Sequence, residues 1–555
     1  MILTKLTSSM EKCFLDGNLE SYPTLSHLSA LKNERVSFQL FYTDDTVDTA
    51  LPYRAMTYRL QIEGLAKELY SIRHVDSVPV TIPCLAENGD GNFLRTTPGL
   101  YPDVLTPLYH NVVSVMRGQL QAVWIEIDLA EKLPAGEHTI TVKLLDGARE
   151  VQTENTLTLT VVDALLPPQE MILTQWFHTD CLANYYNVEP WSEEHWRIVE
   201  SFATTAAKNG INMLLTPVHT PPLDTAPGGE RRTVQLVDVT VKDGVYSFSF
   251  DKLDRWIEMC DRVGIRYFEI AHLFTQWGAA HAPKIEACVD GEYKRIFGWE
   301  TDATSEEYTT YLRTFLTAFL AYMKARGDDA RCYFHMSDEP NKLHIDRYRA
   351  VKASVADVLE GYPIMDALSN FEFYQDGLVE LPIPSNDHIK PFIEADVKGL
   401  WTYYCCSQAV GVSNRFIAMP LWRTRSIGLQ FYKFNIVGFL HWGYNFYNAA
   451  LSRNPINPYI DTCAGHMFPA GDAFSVYPAQ DGTAVESIRI LSFYEALQDA
   501  RALKLAEEFC GRERVIEEIE TLFGEEIAFD KCAKSAVPLL KIREKINEMI
   551  AEKIK

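Results

Sequence analysis

The feature that most restricts the fold is a change of pattern at Leu165–Glu170, "LLPPQE". Two consecutive prolines, each with a fixed φ and no N–H, suit an extended connector and neither a helix interior nor a central strand. Before this break, β-rich runs such as "RVSFQLFYT", "YRLQIEGL", "QAVWIEIDL", "LPAGEHTITVKLLDG" and "TLTLTVVDA" are separated by turn residues. Val123, Ile125 and Ile127 alternate with Trp124, Glu126 and Asp128, the period-two pattern of a strand. Residues 1–165 are therefore predicted to form a β-sandwich domain.

After the break, apolar runs alternate with helical periodicity. The runs are "MILTQWFH", "INMLLTP", "GIRYFEIAH", "RCYFHMS", "YPIMDALS", a weak one near "DHIKPF", "GLWTYYC" and "IVGFLHWGY". Helical patterns fall between them across 193–208, from Asp251, and over about 305–325, with a hairpin near "VKDGVYSFSF". Eight such runs predict a (β/α)8 TIM-like barrel over 166–485. Beyond it, "ESIRILSFYEALQDARALKLAEEF" has apolar positions three and four apart, so 486–555 is expected as helices packed on the barrel. The fold class is thus a multidomain β plus α/β protein, as 555 residues are too many for one core.

A net charge of −23 opposes binding to phosphate backbones and anionic lipid, so neither nucleic acid nor membrane is expected as a partner. "MILTKLTSSMEKCF" lacks the basic-then-apolar layout of a secretory signal, and eleven cysteines without framework spacing suit reduced thiols. A cytoplasmic location is the resulting expectation. The adjacent Cys405 and Cys406 read as two buried small residues, not a redox pair. "ENGDGN" (Glu87 to Asn92) lacks calcium-loop spacing and reads as a turn. "FPAGDAF" lacks a P-loop lysine and also reads as a turn. Without an H-E-x-x-H motif or a Cys/His cluster, neither a metal nor a cofactor is expected.

The candidate chemistry lies in "CYFHMSDEP", Cys332 to Pro340. Barrel enzymes place catalytic groups at the carboxyl ends of strands. Asp338 and Glu339 end the fourth run there, and neighbouring residues of a regular strand point to opposite faces. Both acids serve one site only if the backbone leaves the pleat at Ser337 to Glu339, which the sequence reading predicts. His335 is expected as a hydrogen-bonded core residue, and Glu269 and Asp366 as structural groups within strands three and five; Asp180, past strand one, is a competing acid.

Strands seven and eight end in aromatics and offer no opposing carboxylate. If the sugar carries a 2-acetamido group, its carbonyl oxygen supplies the nucleophile. Glu339 then acts as general acid and base, while Asp338 orients the acetamido N–H and offsets charge on the oxazolinium. Trp401 with Tyr403, and Trp442 with Tyr444, are candidate sugar-binding aromatics.

"SDEP" at a strand end, "HWGYNFY" (His441 to Tyr447), "FPAGDAFSVYP" (Phe468 to Pro478) and "DGTAVESIR" (Asp481 to Arg489), in that order, resemble glycoside hydrolase family 123. The sandwich-then-barrel order is similar too. The resemblance implies a β-N-acetylgalactosaminidase that retains configuration by substrate assistance, with the family's Asp and Glu falling on Asp338 and Glu339. A short imported oligosaccharide fits an intracellular enzyme best. The alternatives are a retaining β-glycosidase with a separate carboxylate nucleophile, for which Asp180 or Asp366 would have to reach Glu339, a carbohydrate-binding protein without turnover, and a scaffold joined through the carboxy-terminal helices.

Overall fold

The computed structural model describes residues 1–45, 56–85 and 89–554. They cluster into two compact units, one made of 1–169, 409–434 and 485–555, the other of 170–408 and 435–484.

The first unit contains two five-stranded sheets. Its strands are β1 (Ile2–Ser8), β2 (His27–Leu31), β3 (Arg35–Asp44), β4 (Met56–Glu63), β5 (Tyr70–Val80), β6 (Gly99–Pro107), β7 (Val112–Val115), β8 (Gln121–Asp128), β9 (Gly136–Leu145) and β10 (Val151–Val162). The orders are β1-β3-β8-β5-β6 and β2-β10-β9-β4-β7, antiparallel except where β2 runs parallel to β10. Val123, Ile125 and Ile127 enter one apolar cluster with Leu60, Ile140, Val142 and Leu159 of the other sheet, as the alternation requires. Glu126, on the other face, is also buried, and Arg73 meets it at 3.2 Å.

The carboxy-terminal helices cluster with these sheets and with residues 409–434. Their inward charges explain the docking. Within helix Ile488–Cys510, Asp499 and Glu495 pair with Arg425 at 2.7 and 2.9 Å, and Arg489 pairs with Asp103 at 2.7 Å. Arg543 of helix Ala536–Ile554 reaches Glu34 at 2.5 Å. Buried charges of this kind are tolerated only when partnered, so each pair fixes where its helix sits. Of "ENGDGN", Glu87 and Asn88 lie outside the described residues; Asp90 accepts the Gly411 and Asn92 N–H groups at 2.7 and 2.8 Å and pairs with Arg423 at 2.9 Å.

The second unit is built on parallel strands β11 (Ile172–Gln175), β12 (Met213–Thr216), β15 (Tyr267–Ile270), β18 (Cys332–Phe334), β19 (Met365–Ala367), β20 (Leu381–Ile383), β21 (Trp401–Tyr403) and β22 (Gly438–His441), with two inserted hairpins, β13–β14 (Asp238–Lys242, Val245–Ser249) and β16–β17 (Ile285–Val289, Glu292–Phe297). Six strands form one sheet, β18-β15-β12-β11-β22-β21, and β19-β20 form a separate pair. Single parallel bridges, Phe334 to Ile364 and Ser385 to Tyr403, adjoin the two. Helices Glu193–Lys208, Asp251–Val263 and Glu306–Arg326 follow β11, the first hairpin and the second. Ser192 and Ser305 cap the first and third of these through their side chains, and Gly264 and Gly327 end the second and third in the left-handed conformation. The sixth strand lies at Leu381–Ile383 and not near "DHIKPF", where Lys390–Glu394 is a short helix. No helix among the described residues is long and apolar enough to cross a membrane.

Candidate active site

Strand β18 ends at Phe334, four residues before the acid pair. The segment that follows is held from below and from the side. Asp366, at the centre of β19, accepts the Met336 and Ser337 N–H groups at 3.1 and 3.3 Å. Trp277 N–H donates to the Asp338 carbonyl at 2.8 Å, and Glu339 N–H to the Ala367 carbonyl at 3.2 Å. Glu339 then adopts a φ of 43°, a left-handed conformation that side chains other than glycine enter at a cost. Departure from the pleat brings both carboxylates into the same cleft.

Beneath the pair lies a buried charge network. His335 Nε2 meets Glu269 at 2.6 Å, and its Nδ1 meets Asp366 at 3.2 Å. Trp176 Nε1 donates to Glu269 at 2.7 Å, Thr174 hydroxyl donates to the same carboxylate, and Tyr348 hydroxyl donates to Asp366. Burial alone would lower the His335 pKa, but the hydrogen bonds to Asp366 and Glu269 outweigh it and push it up to about 9. His335 is thus a cation at neutral pH. His272, stacked on it at 4.2 Å, is driven well below its usual value by burial and then by that charge, and stays neutral.

Asp338 is held well above the usual carboxylate range by burial first and by the Glu339 carboxylate second, while the His335 cation works against both. Two carboxyls so close do not ionise together easily. Tyr403, the last residue of β21, donates its hydroxyl to Glu339 Oε1 at 2.6 Å. Trp442, the first residue past β22, lines the same cleft and is fixed by its Nε1 donating to Asp472 Oδ2 at 2.9 Å.

The other two aromatics lie elsewhere. Trp401 begins β21, one layer deeper than Tyr403, and is buried against Tyr333 and the backbone of Gly438, where an added Cβ would meet its ring at 2.0 Å. Tyr444 lies beyond the end of β22, so strand alternation does not govern it. It stacks on Phe177 at 5.7 Å and donates its hydroxyl to the Phe202 carbonyl at 2.9 Å. Asp180 is also removed from the cleft, in a buried pair with Arg231 at 2.5 Å.

Among the cleft residues that the sequence did not single out are Asp224, Gln276 and Trp277. All come from irregular segments after β12 and β15, where no periodicity points to a site. Asp224 is a third carboxylate in the cleft. Burial pushes it up to about 6 although Leu451 N–H, at 2.9 Å, and the Arg231 charge pull it down. Trp277 is 41% exposed, with a φ of 58°. Among the described residues, no group of three or more His, Cys, Asp or Glu side chains is arranged to hold a metal ion.

A family model described as glycoside hydrolase 123, catalytic domain, matches residues 176–506, a span that contains each of these carboxylates. A family 123 glycoside hydrolase from Clostridium perfringens, whose structure was studied for glycolipid glycan hydrolysis, superposes with a TM-score of 0.76 at 15% identity, covering 100% of this chain and 99% of that one. Parabacteroides merdae β-glucuronidase (TM-score 0.30, 9% identity, 89% of this chain and 52% of that one) is only loosely similar. So is an endo-β-1,4-mannanase from Thermotoga petrophila (TM-score 0.33, 11% identity, 60% and 78%). No curated protein matches. Since the family model spans more than half of the chain and the C. perfringens enzyme shares its fold from end to end, this protein belongs to glycoside hydrolase family 123 and is a glycosidase.

Proposed function

We propose that the chain is a retaining exo-β-N-acetylgalactosaminidase in which the substrate's own 2-acetamido group is the nucleophile. The observation that carries this reading is the convergence of two sequence-adjacent carboxylates, Asp338 and Glu339, on one cleft through the left-handed backbone at Glu339. Before substrate binds, Asp338 tends to keep a proton. An acetamido N–H donating to it favours its anion, which leaves the proton with Glu339 for the departing oxygen. Because Tyr403 occupies Oε1 of Glu339, Oε2 is the oxygen available to carry that proton. The Asp338 anion then offsets the oxazolinium charge. Trp442 offers an aromatic face for the sugar ring. The two five-stranded sheets read as a β-sandwich, and the bridges adjoining β18 to β19 and β20 to β21 support a closed (β/α)8 barrel.

Asp224 favours a second reading, a β-glycosidase with its own carboxylate nucleophile, which in a retaining enzyme stands roughly 5 Å from the acid. Paired p-nitrophenyl β-galactosides, 2-acetamido against 2-hydroxy, separate the two. The first reading expects release from the acetamido sugar alone, with Asp338→Asn inactive; comparable release from the plain galactoside, abolished in Asp224→Asn, would transfer the nucleophile to Asp224.

The network beneath the pair gives a pH prediction. Removing the His335 cation in His335→Gln takes away a group that lowers the Asp338 pKa, so the value rises and less Asp338 is ionised at a given pH. The acidic limb of the kcat/KM profile is therefore expected to move to higher pH. An unmoved limb in a folded variant would mean that Asp338 does not set it.

A further inference from the structure

One pair of residues in the cleft wall has no part in this chemistry. Cys405 and Cys406 directly follow Tyr404, both line the cleft that holds Asp338 and Glu339, and neither is in a disulfide. They are the only adjacent cysteines in the sequence. Successive in the chain, the two thiols lie on one turn and face the same cleft. The turn that carries them is fixed by Gln408, whose Oε1 accepts the Cys405 N–H at 2.9 Å and its thiol at 3.2 Å. Gln408 Nε2 is held in turn by Asp387 at 3.1 Å. Trp176, Leu223, Trp442 and Phe468 line the same cleft and give it an apolar wall.

We propose that Cys405 and Cys406 form a vicinal dithiol site for monosubstituted trivalent arsenicals, and that occupancy of this site blocks the glycosidase cleft. In the reaction R–As(OH)2 loses both hydroxides. Two As–O bonds break, two As–S bonds form, and each thiol proton leaves with a hydroxide as water. Arsenic stays trivalent, so no oxidant or reductant is required. A fixed pair of adjacent sulfurs gains the second bond without a further loss of translational freedom, the advantage of any preorganised bidentate ligand. An aryl group on arsenic would lie against the apolar wall.

The surroundings also separate this chemistry from simple alkylation. The Cys406 side chain first, and then burial, raise the Cys405 pKa well above its ordinary value, so little Cys405 thiolate is present to attack a haloacetamide. Exchange on arsenic consumes neutral thiols and is not suppressed in the same way.

The test is intact-mass measurement of the full chain with phenylarsine oxide in the presence of excess 2-mercaptoethanol, which strips arsenic from single cysteines. The expected result is a single phenylarsenic adduct, removed by 2,3-dimercaptopropanol and lost in both Cys405→Ser and Cys406→Ser. Glycoside hydrolysis by the wild type should fall in step with adduct formation and return with the dithiol. Mass reads binding whichever sugar the cleft accepts, so failure here is distinct from failure of the substrate assignment. An adduct that survives in either serine variant, or no adduct on the wild type, would overturn the site; an adduct with hydrolysis undiminished would overturn the block.

Discussion

Glu339→Gln is expected to lower kcat/KM for a 2-acetamido β-glycoside with an alkyl leaving group by about 10²- to 10⁴-fold, the usual contribution of a positioned general acid. The substitution is nearly isosteric. Its amide oxygen still accepts from Tyr403, and the Glu339 N–H bond to the Ala367 carbonyl is untouched. What disappears is the transferable proton. Glycosides of acidic phenols, which depart without protonation, should therefore lose much less in their bond-breaking step than alkyl glycosides. The ratio of the two losses is the measurement, made with one enzyme preparation. Equal losses for both leaving groups would remove Glu339 from the role of acid and leave it as a binding group.

The second large effect concerns a residue outside the cleft. Asp366 accepts from His335, from Tyr348 and from the Met336 and Ser337 N–H groups, all in the interior. Asp366→Ala strands these donors and strips one of the two anions from the buried His335 cation. Breaking a buried ionic group in this way costs about 3–5 kcal/mol, and the loss should appear as an earlier denaturant midpoint. A change below about 1 kcal/mol, the ordinary size of a point-mutant effect, would show that the network is not what holds the segment. The pH dependence adds a second readout. The His335 pKa is raised in the folded chain, from 6.5 to about 9, so its contribution to stability is complete below about 6.5 and lost as pH rises through about 9. In Asp366→Ala one source of that rise is gone, and the decline of stability over this window should be shallower.

Much of the geometry of the candidate site was legible from a single rule, that a strand ending in acids delivers them to the cleft at its carboxyl end. Asp338 and Glu339 satisfy it because β18 stops early and Asp366 catches the segment beyond. The rule also pointed to Tyr403 and Trp442, at or just past the ends of β21 and β22, which line the same cleft. It failed where alternation was carried too far. Trp401 shares a face with Tyr403, but two residues along a strand are a difference in depth of about 7 Å, enough to separate the mouth from the interior. Tyr444 lies outside the strand altogether. Asp224, Gln276 and Trp277 were out of reach because they sit on insertions that carry no hydrophobic period and meet the acids only through tertiary folding. The sixth strand was misplaced because a three-residue strand, Leu381–Ile383, leaves almost no pattern to detect. The helical character of 486–555 was plain, but its periodicity says only that a face must be covered; the buried arginine pairs determine by what.

The discontinuity of the first unit bears on the order in which the protein matures at the ribosome. Domains usually form as they emerge, amino-terminal first. Here Glu34 waits for Arg543, a partner 509 residues later, and Asp103 waits for Arg489. The second unit has all of its residues once residue 484 has been synthesised, whereas the first also needs residues 485–555. The two sheets of the first unit therefore spend much of translation with their charged docking positions unfilled, and the residues that form them are secured late.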